Sequence, residues 1–238
     1  MKTIIIIQAR MGSTRLPGKI LLPLGEHDNL VYVTERCKKI TNDVIVATSA
    51  LPQDDEVEAW CKRRGIACYR GAEEDVLDRF VQAAKPYAPD YVIRVTADCP
   101  FVDMEMGKEM LDIMKMKQVD IIDLSGEVAR GLAVEVISYE ALQYIHKHGR
   151  EQRHREHVTY YAYEHETEFT RTSYVVPNSR AYPKLRITLD TSEDYAVMSK
   201  VAEYFNDIFV PSEEVIQYLL YHPEIAKLNA HVEQKPVI

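Results

Sequence analysis

The feature that most constrains this chain is an alternation between two hydrophobic periods. "TIIIIQ" (3–8) is an unbroken β-branched run, the pattern of a strand buried on both faces. A helical stretch at 30–40 ends on a basic turn, which suits the helix dipole. "DVIVATS" (43–49) is the next strand. The helix at 54–65 begins on acids and ends on bases and Gly65. A strand at 67–71, a helix at 73–87, a strand at 90–100, a helix at 103–117 and a strand at 119–124 follow. This rhythm predicts an α/β fold, three-layered α/β/α, around a mostly parallel sheet. Ligands of such sheets sit outside the carboxyl ends of the strands. Chemistry is therefore expected in the loops after residues 8, 48, 70 and 96.

The second half is less regular. It reads as a strand and helix over 132–149, a polar, aromatic helix over 151–166 and an exposed strand over 170–178. A core-like strand at 184–190 precedes an amphipathic helix at 192–205, with Ser192 as its cap. The last helix, 212–224, begins on Ser212 with capping-box spacing. Residues 130–183 leave the β-α rhythm, so they read as an insertion or dimerisation arm within a single domain, 1–238. Lys and Arg number 29 against 37 acids, a net charge of -8. A duplex-binding surface is thereby disfavoured, and any anion site must be local. The four cysteines are irregularly spaced, which argues against a zinc knuckle or a disulfide framework. The N-terminal apolar run is too short for a signal peptide, and no stretch approaches the roughly 18–20 apolar residues of a membrane span. A cytoplasmic protein is expected.

Against that acidic background, "QARMGSTRLPGK" (8–19) puts Arg10, Arg15 and Lys19 on one loop after the first strand. Its spacing matches neither G-x-G-x-x-G nor the Walker pattern, since five residues separate Gly12 from Gly18 and Ile20 follows Lys19. The ingredients of an anion site are present all the same. Glycines let backbone amides approach, Arg15 offers a planar fork and Lys19 a mobile point charge. Two carboxylates stand at strand ends, Asp98 in "RVTADCP" and Asp190 in "RITLDTSEDY". A pair meeting at a polyphosphate suits Mg²⁺, which takes few protein oxygens and completes its shell with water and phosphate. Asp190 also sits where a helix N-cap would.

Taken together, these segments resemble the CMP-sugar synthetase superfamily. That superfamily holds the 3-deoxy-manno-octulosonate and acylneuraminate cytidylyltransferases and the SpsF-like spore-coat polysaccharide branch. "ARMGSTRLPGK" looks like its phosphate loop, "ADCP" (97–100) like one metal-bearing turn and "LDTSEDY" (189–195) like the other. "RGAEEDVLDRF", "GLAVEVISYEAL" and "REHVTYYAY" look like the SpsF-like branch. The resemblance implies a Rossmann-like nucleotidyltransferase sheet and transfer of CMP from CTP to a sugar, with release of pyrophosphate. It implies Arg15, Lys19 and Asp98 as catalytic residues, and Asp98 with Asp190 as ligands of Mg²⁺. Nucleotide binding would fall to Ala9, Arg10, Met11, Gly12, Ser13 and Lys19, with Arg70, Gly71 and Asp75 at base and ribose. Arg94, Glu135, Arg155 and His157 would face the acceptor sugar, and residues 130–183 resemble the arm through which related synthetases form dimers. Ala97 stands where the family usually has glycine and Cys99 where an acid is common in the octulosonate enzymes, so the sugar is left open.

Other readings weigh on single residues. His154 and His157 lie three apart but lack a further ligand, which favours a solvated face over a metal site. The tyrosines of "YYAYEH" read as packing rather than base stacking, and the methionines of 104–116 as core or dimer packing. At the level of function two alternatives stay open: a glycosyltransferase using a nucleotide-sugar donor, and a non-catalytic nucleotide-binding partner. No D-x-D turn stands near a strand end to support the first.

Overall fold

The computed structural model describes residues 1–234. Strands β1 (Thr3–Gln8), β2 (Pro23–Leu24), β3 (His27–Asp28), β4 (Val44–Ser49), β5 (Ala67–Gly71), β6 (Tyr91–Thr96), β7 (Ile121–Ser125), β8 (Glu135–Ser138) and β9 (Arg171–Val175) occur in chain order. The α-helices are α1 (Asn29–Lys38), α2 (Asp55–Arg64), α3 (Val76–Ala84), α4 (Met104–Lys117), α5 (Tyr139–His148), α6 (Gln152–Glu156), α7 (Tyr160–Glu164), α8 (Ser192–Phe205), α9 (Ser212–Tyr221) and α10 (Pro223–Ala226). Seven strands form one sheet in the order β5-β4-β1-β6-β8-β7-β9, and β2 with β3 makes a separate hairpin.

The isoleucine run occupies the middle of that sheet. β1 pairs in parallel with β4 on one side and β6 on the other. Side chains alternate faces along a strand, so Ile5 and Ile7 join one core and Ile4 and Ile6 the other. The first core holds α1, α2, α4, α8 and α9, with Val33, Trp60, Met110, Val197 and Ile216 among its members. The second holds α3, α5 and α7 through Phe80, Leu142 and Tyr161. Three layers are thus present as expected, and the buried methionines of α4 are core.

The change of rhythm after residue 130 marks a change of strand direction. Residues 130–183 supply β8 and β9 to the central sheet itself. β8 inserts antiparallel between β6 and β7, and β9 runs parallel to β7 at the edge. Three local expectations fail. The helix expected over 151–166 is two short helices, α6 and α7, broken at the buried Val158, whose φ is 41°. Left-handed backbone is an outlier for a β-branched side chain. The stretch 184–190 is buried like a strand but pairs only through an isolated bridge from Arg186 to Arg130. Its close approach depends on Gly131, at φ 93°, where a Cβ would lie 2.0 Å from the Ile187 carbonyl oxygen. Neither expected serine cap forms. Thr191, not Ser192, caps α8 in a capping box with Asp194. α9 has no side-chain cap, and the Ser212 hydroxyl instead donates to the buried Asp103 carboxylate at 2.5 Å. Among the described residues, no helix is long and apolar enough to cross a membrane.

Candidate active site

The cationic loop leaves the carboxyl end of β1 under tight local control. The Ala9 N–H donates to the Ala47 carbonyl at 3.1 Å. The Met11 N–H donates to Asp54 Oδ1 at 2.7 Å, and the fully buried Asp54 also accepts the Ser49 N–H at 3.1 Å. Gly18, at φ 69°, returns its N–H to the Met11 carbonyl at 3.1 Å and closes the loop. That backbone conformation is one glycine adopts without strain. The buried Asn29 then ties two stretches together. Its Nδ2 donates to the Ala97 carbonyl at 2.6 Å and to the Ile20 carbonyl at 3.5 Å. The exit of the loop is thereby held against the turn carrying Asp98.

Asp98 and Asp190 meet on Lys19. The Lys19 Nζ donates to Asp98 Oδ2 at 2.8 Å and to Asp190 Oδ1 at 2.6 Å, and Arg15 lies 3.2 Å from Asp190 Oδ2. The two turns are sewn together by backbone as well. The Leu189 N–H and the Thr188 hydroxyl donate to the Asp98 carbonyl at 2.8 and 3.0 Å. Asp190 is not the cap of α8, so its carboxylate is free for this role. Burial alone would raise Asp98, but the Lys19 charge and hydrogen bond outweigh it and hold the carboxyl at about 2. Burial alone would lower Lys19, and the two carboxylates reverse that and raise it. Both directions describe one stable cation between two anions. The Cys99 thiol, pushed up to about 12 chiefly by burial, donates to Asp98 at 3.6 Å. It is a neutral neighbour of the pair.

A cleft of about 270 Å³ opens over this cluster. Arg10, Gly12, Ser13, Arg15 and Lys19 of the loop line it, together with Gln8, Thr96, Ala97, Asp98, Asp190 and Glu156. A wider groove, of about 560 Å³, runs along α2 past Glu58 and Cys68 and shares no lining residue with it.

The remaining candidates separate into two sets. Arg94 on β6 and Glu135 on β8 face each other in register and pair at 2.6 Å. Arg94 also reaches Gln8 Oε1 at 3.3 Å, and Thr159 donates to Glu135 at 2.8 Å. His157 stands at the broken elbow between α6 and α7, held below the usual imidazole value by burial and the Arg94 charge, against the pull of Glu156. This set adjoins the cleft through Gln8 and Glu156. The second set is occupied elsewhere. The Arg70 guanidinium binds the Ser49 and Leu51 carbonyls, Glu58 and Asp55. Asp75 caps α3 and pairs with Arg155, so a residue expected at the nucleotide holds one expected at the sugar. Gly71 closes β5, where a Cβ would lie 2.8 Å from Arg79 Cγ. None of these four lines the cleft. Arg10 meets Glu73 of the following loop at 3.5 Å. His154 is buried rather than on the solvated face expected, and its Nε2 lies 2.5 Å from Glu164 Oε2.

Sequence reasoning passed over Asp54, Asn29, Glu156 and Asp194. Asp54 looked like an acidic helix start, and Asn29 stood just before the helix expected over 30–40. Asp194 lay in plain view inside D-T-x-x-D. Its carboxylate, fully buried, accepts from Arg186 at 3.0 and 2.9 Å and from the Asp190 and Thr191 N–H groups at 3.1 and 3.2 Å.

A mostly parallel sheet whose central strand ends in a cationic glycine loop, faced by two acids, has the architecture of an α/β nucleotidyltransferase. The cytidylyltransferase family model matches residues 4–233. The chain belongs to that family, within the CMP-sugar synthetase superfamily, and is a nucleotidyltransferase that uses CTP. It is 35% identical to the spore coat polysaccharide biosynthesis protein SpsF of Bacillus subtilis, over 93% of this chain and 95% of that one. An uncharacterized protein of Methanocaldococcus jannaschii is also 35% identical, over 99% and 97% of the two chains. The solved structure of a cytidylyltransferase from Leptospira borgpetersenii superposes with a TM-score of 0.89 at 33% identity, covering 99% of each chain.

Proposed function

We propose that this enzyme transfers CMP from CTP to the hydroxyl of a sugar and releases pyrophosphate, in the synthesis of a surface or spore-coat polysaccharide. The observation that carries the reading is the meeting of Asp98 and Asp190 on Lys19, a loop cation 79 and 171 residues away from them in sequence. The acceptor oxygen attacks the α-phosphorus, the bond to the bridging oxygen breaks, and pyrophosphate departs. Lys19 and Arg15 hold the β- and γ-phosphates and stabilise the charge that grows on the leaving group. Arg10, Gly12 and Ser13 line the phosphate path, while Ala9 and Met11, whose N–H groups are bonded to the Ala47 carbonyl and to Asp54, hold the loop in shape behind it. Arg94, Glu135 and His157 orient the acceptor.

The donor set fits a divalent cation. Two carboxylates already converge on one positive group, the Lys19 ammonium. Among the described residues there is no cluster of three or more metal-binding side chains, and Mg²⁺ needs no such cluster when phosphate and water complete its shell. Asp98 and Asp190 would hold it, and it would supply Lewis acidity at the α-phosphate. The relative SpsF supports the polysaccharide role. We further propose a cytoplasmic homodimer assembled through residues 130–183, which light scattering on the purified protein tests.

The test is a panel of nucleoside triphosphates against candidate sugars, read by pyrophosphate release. Release with CTP and one sugar supports the proposal. Release of CMP or UDP from a nucleotide-sugar, or tight CTP binding without turnover on any sugar, overturns it in favour of a glycosyltransferase or a non-catalytic partner.

A further inference from the structure

The segment after α10 takes part in the site. Asn229 is 2% exposed, in a stretch of short, polar chain where an asparagine would ordinarily point to water. A buried amide must be matched by partners, and both partners here belong to the Asp190 turn. Its Nδ2 donates to Asp194 Oδ1 at 2.8 Å and to the Arg186 carbonyl at 3.0 Å. Asp194 in turn receives the Arg186 guanidinium on both oxygens and the Asp190 N–H on Oδ2 at 3.1 Å. Arg186 Nη2 also lies 3.5 Å from Asp190 Oδ2. One guanidinium is therefore shared between a structural carboxylate and a functional one. How it is shared depends on how Asp194 is held, and beside the Asp190 and Thr191 N–H groups Asn229 adds a side-chain donor to the Asp194 oxygen that also takes Arg186 Nε. Four residues further on, the Glu233 carbonyl accepts from Arg15 at 3.5 Å, so the same segment also touches the phosphate loop.

We infer that Asn229 is a positioning residue for Asp190, acting through Asp194 and Arg186. This rests on the reading of Asp98 and Asp190 as the pair that takes a divalent cation beside CTP. An amide suits the position because it adds a donor to Asp194 without adding a charge. An aspartate of the same shape would set a second carboxylate against Asp194 and draw Arg186 away from Asp190. Hydrogen-bonding partners behind a metal ligand orient it, and losing one typically costs about 10–100-fold in metal affinity.

The probe is Mn²⁺, counted as enzyme-bound ion by electron paramagnetic resonance at saturating CTP, with CTP binding measured separately without metal. Asn229→Ala is expected to weaken Mn²⁺ roughly 10-fold while metal-free CTP binding stays within about 2-fold. Asn229→Ser, which keeps one donor and guards against misfolding of the alanine variant, is expected to fall between. In an Asp190→Asn background Asn229→Ala should add nothing further, because coupled residues are not additive. Unchanged Mn²⁺ affinity in both variants, with or without a lowered melting temperature, overturns the inference, as does a full additive loss in the double variant. Unchanged Mn²⁺ binding in Asp98→Asn and Asp190→Asn themselves refutes the reading of the pair, and the inference falls with it.

Discussion

Residues 9–19 and residues 186–194 face each other across one cleft, yet they are held in place differently. The loop closes on its own backbone and is braced from outside by backbone amides on one buried acid, Asp54. Gly18 turns it, the Met11 carbonyl closes it, and the buried Asp54 collects amides from Met11 and Ser49. The turn is held by a buried ionic network, built from its own Arg186 and Asp194 and joined by groups from elsewhere in the chain. Arg186 and Asp194 bury a charge pair, Asn229 backs it, and the Asp98 carbonyl receives Leu189. A loop of the first kind keeps its shape when a cation is removed from its surface. A turn of the second kind stores its geometry in a buried network, so losing one member should disturb both fold and site.

The hardest test of that contrast is Asp194→Ala. It leaves Arg186 buried without its principal partner, which costs about 3–5 kcal/mol and should appear as a large fall in melting temperature along with loss of turnover. Lys19→Met comes next. Turnover, read as pyrophosphate release, should fall about 10²–10³-fold, as for removal of one group that stabilises transition-state charge. Its melting temperature should fall much less than that of Asp194→Ala; equal falls would erase the distinction between loop and turn.

Acid and alkali probe the Asp98–Lys19 pair more gently. Asp98 is held below its unfolded value of 3.8, at about 2, so its contribution to stability is complete above pH 3.8. It is lost as pH falls through about 2. Lys19 is raised above 10.5, so its contribution is complete below pH 10.5 and is lost only as pH rises through that higher value. Melting temperature should therefore show no step from Asp98 or Lys19 between roughly pH 4 and 10. Asp98→Asn should remove the acid step below pH 4, as followed by circular dichroism. The smallest effect is expected from Arg70→Ala. Its guanidinium serves the carbonyls of Ser49 and Leu51 and two exposed acids. Metal-free CTP affinity should hold within about 2-fold, as expected for exposed ion pairs outside a site; a larger loss would return Arg70 to the nucleotide.

Much of this molecule is legible in its residue order. Hydrophobic period depends on neighbours in sequence, so the parallel strands and their helices read through, and the isoleucine run of β1 declares its two buried faces. The phosphate loop reads through for the same reason, since its glycines and cations are contiguous. The stretch 184–190 misleads because burial, not pairing, makes it look like a strand. Val158 gives no warning, since no local rule places a β-branched residue at φ 41°.

By itself, then, the sequence determined the central sheet and the cationic loop, both set by short-range periodicity and turn chemistry. Only the tertiary structure decided which distant charges meet. Asp98 and Asp190 converge on Lys19, while Asp75 and Arg155 satisfy each other. An ionised group that leaves water must find an opposite charge. Which charge it finds depends on how the strands are ordered and how the chain closes on itself, and neither is written in any local run of residues.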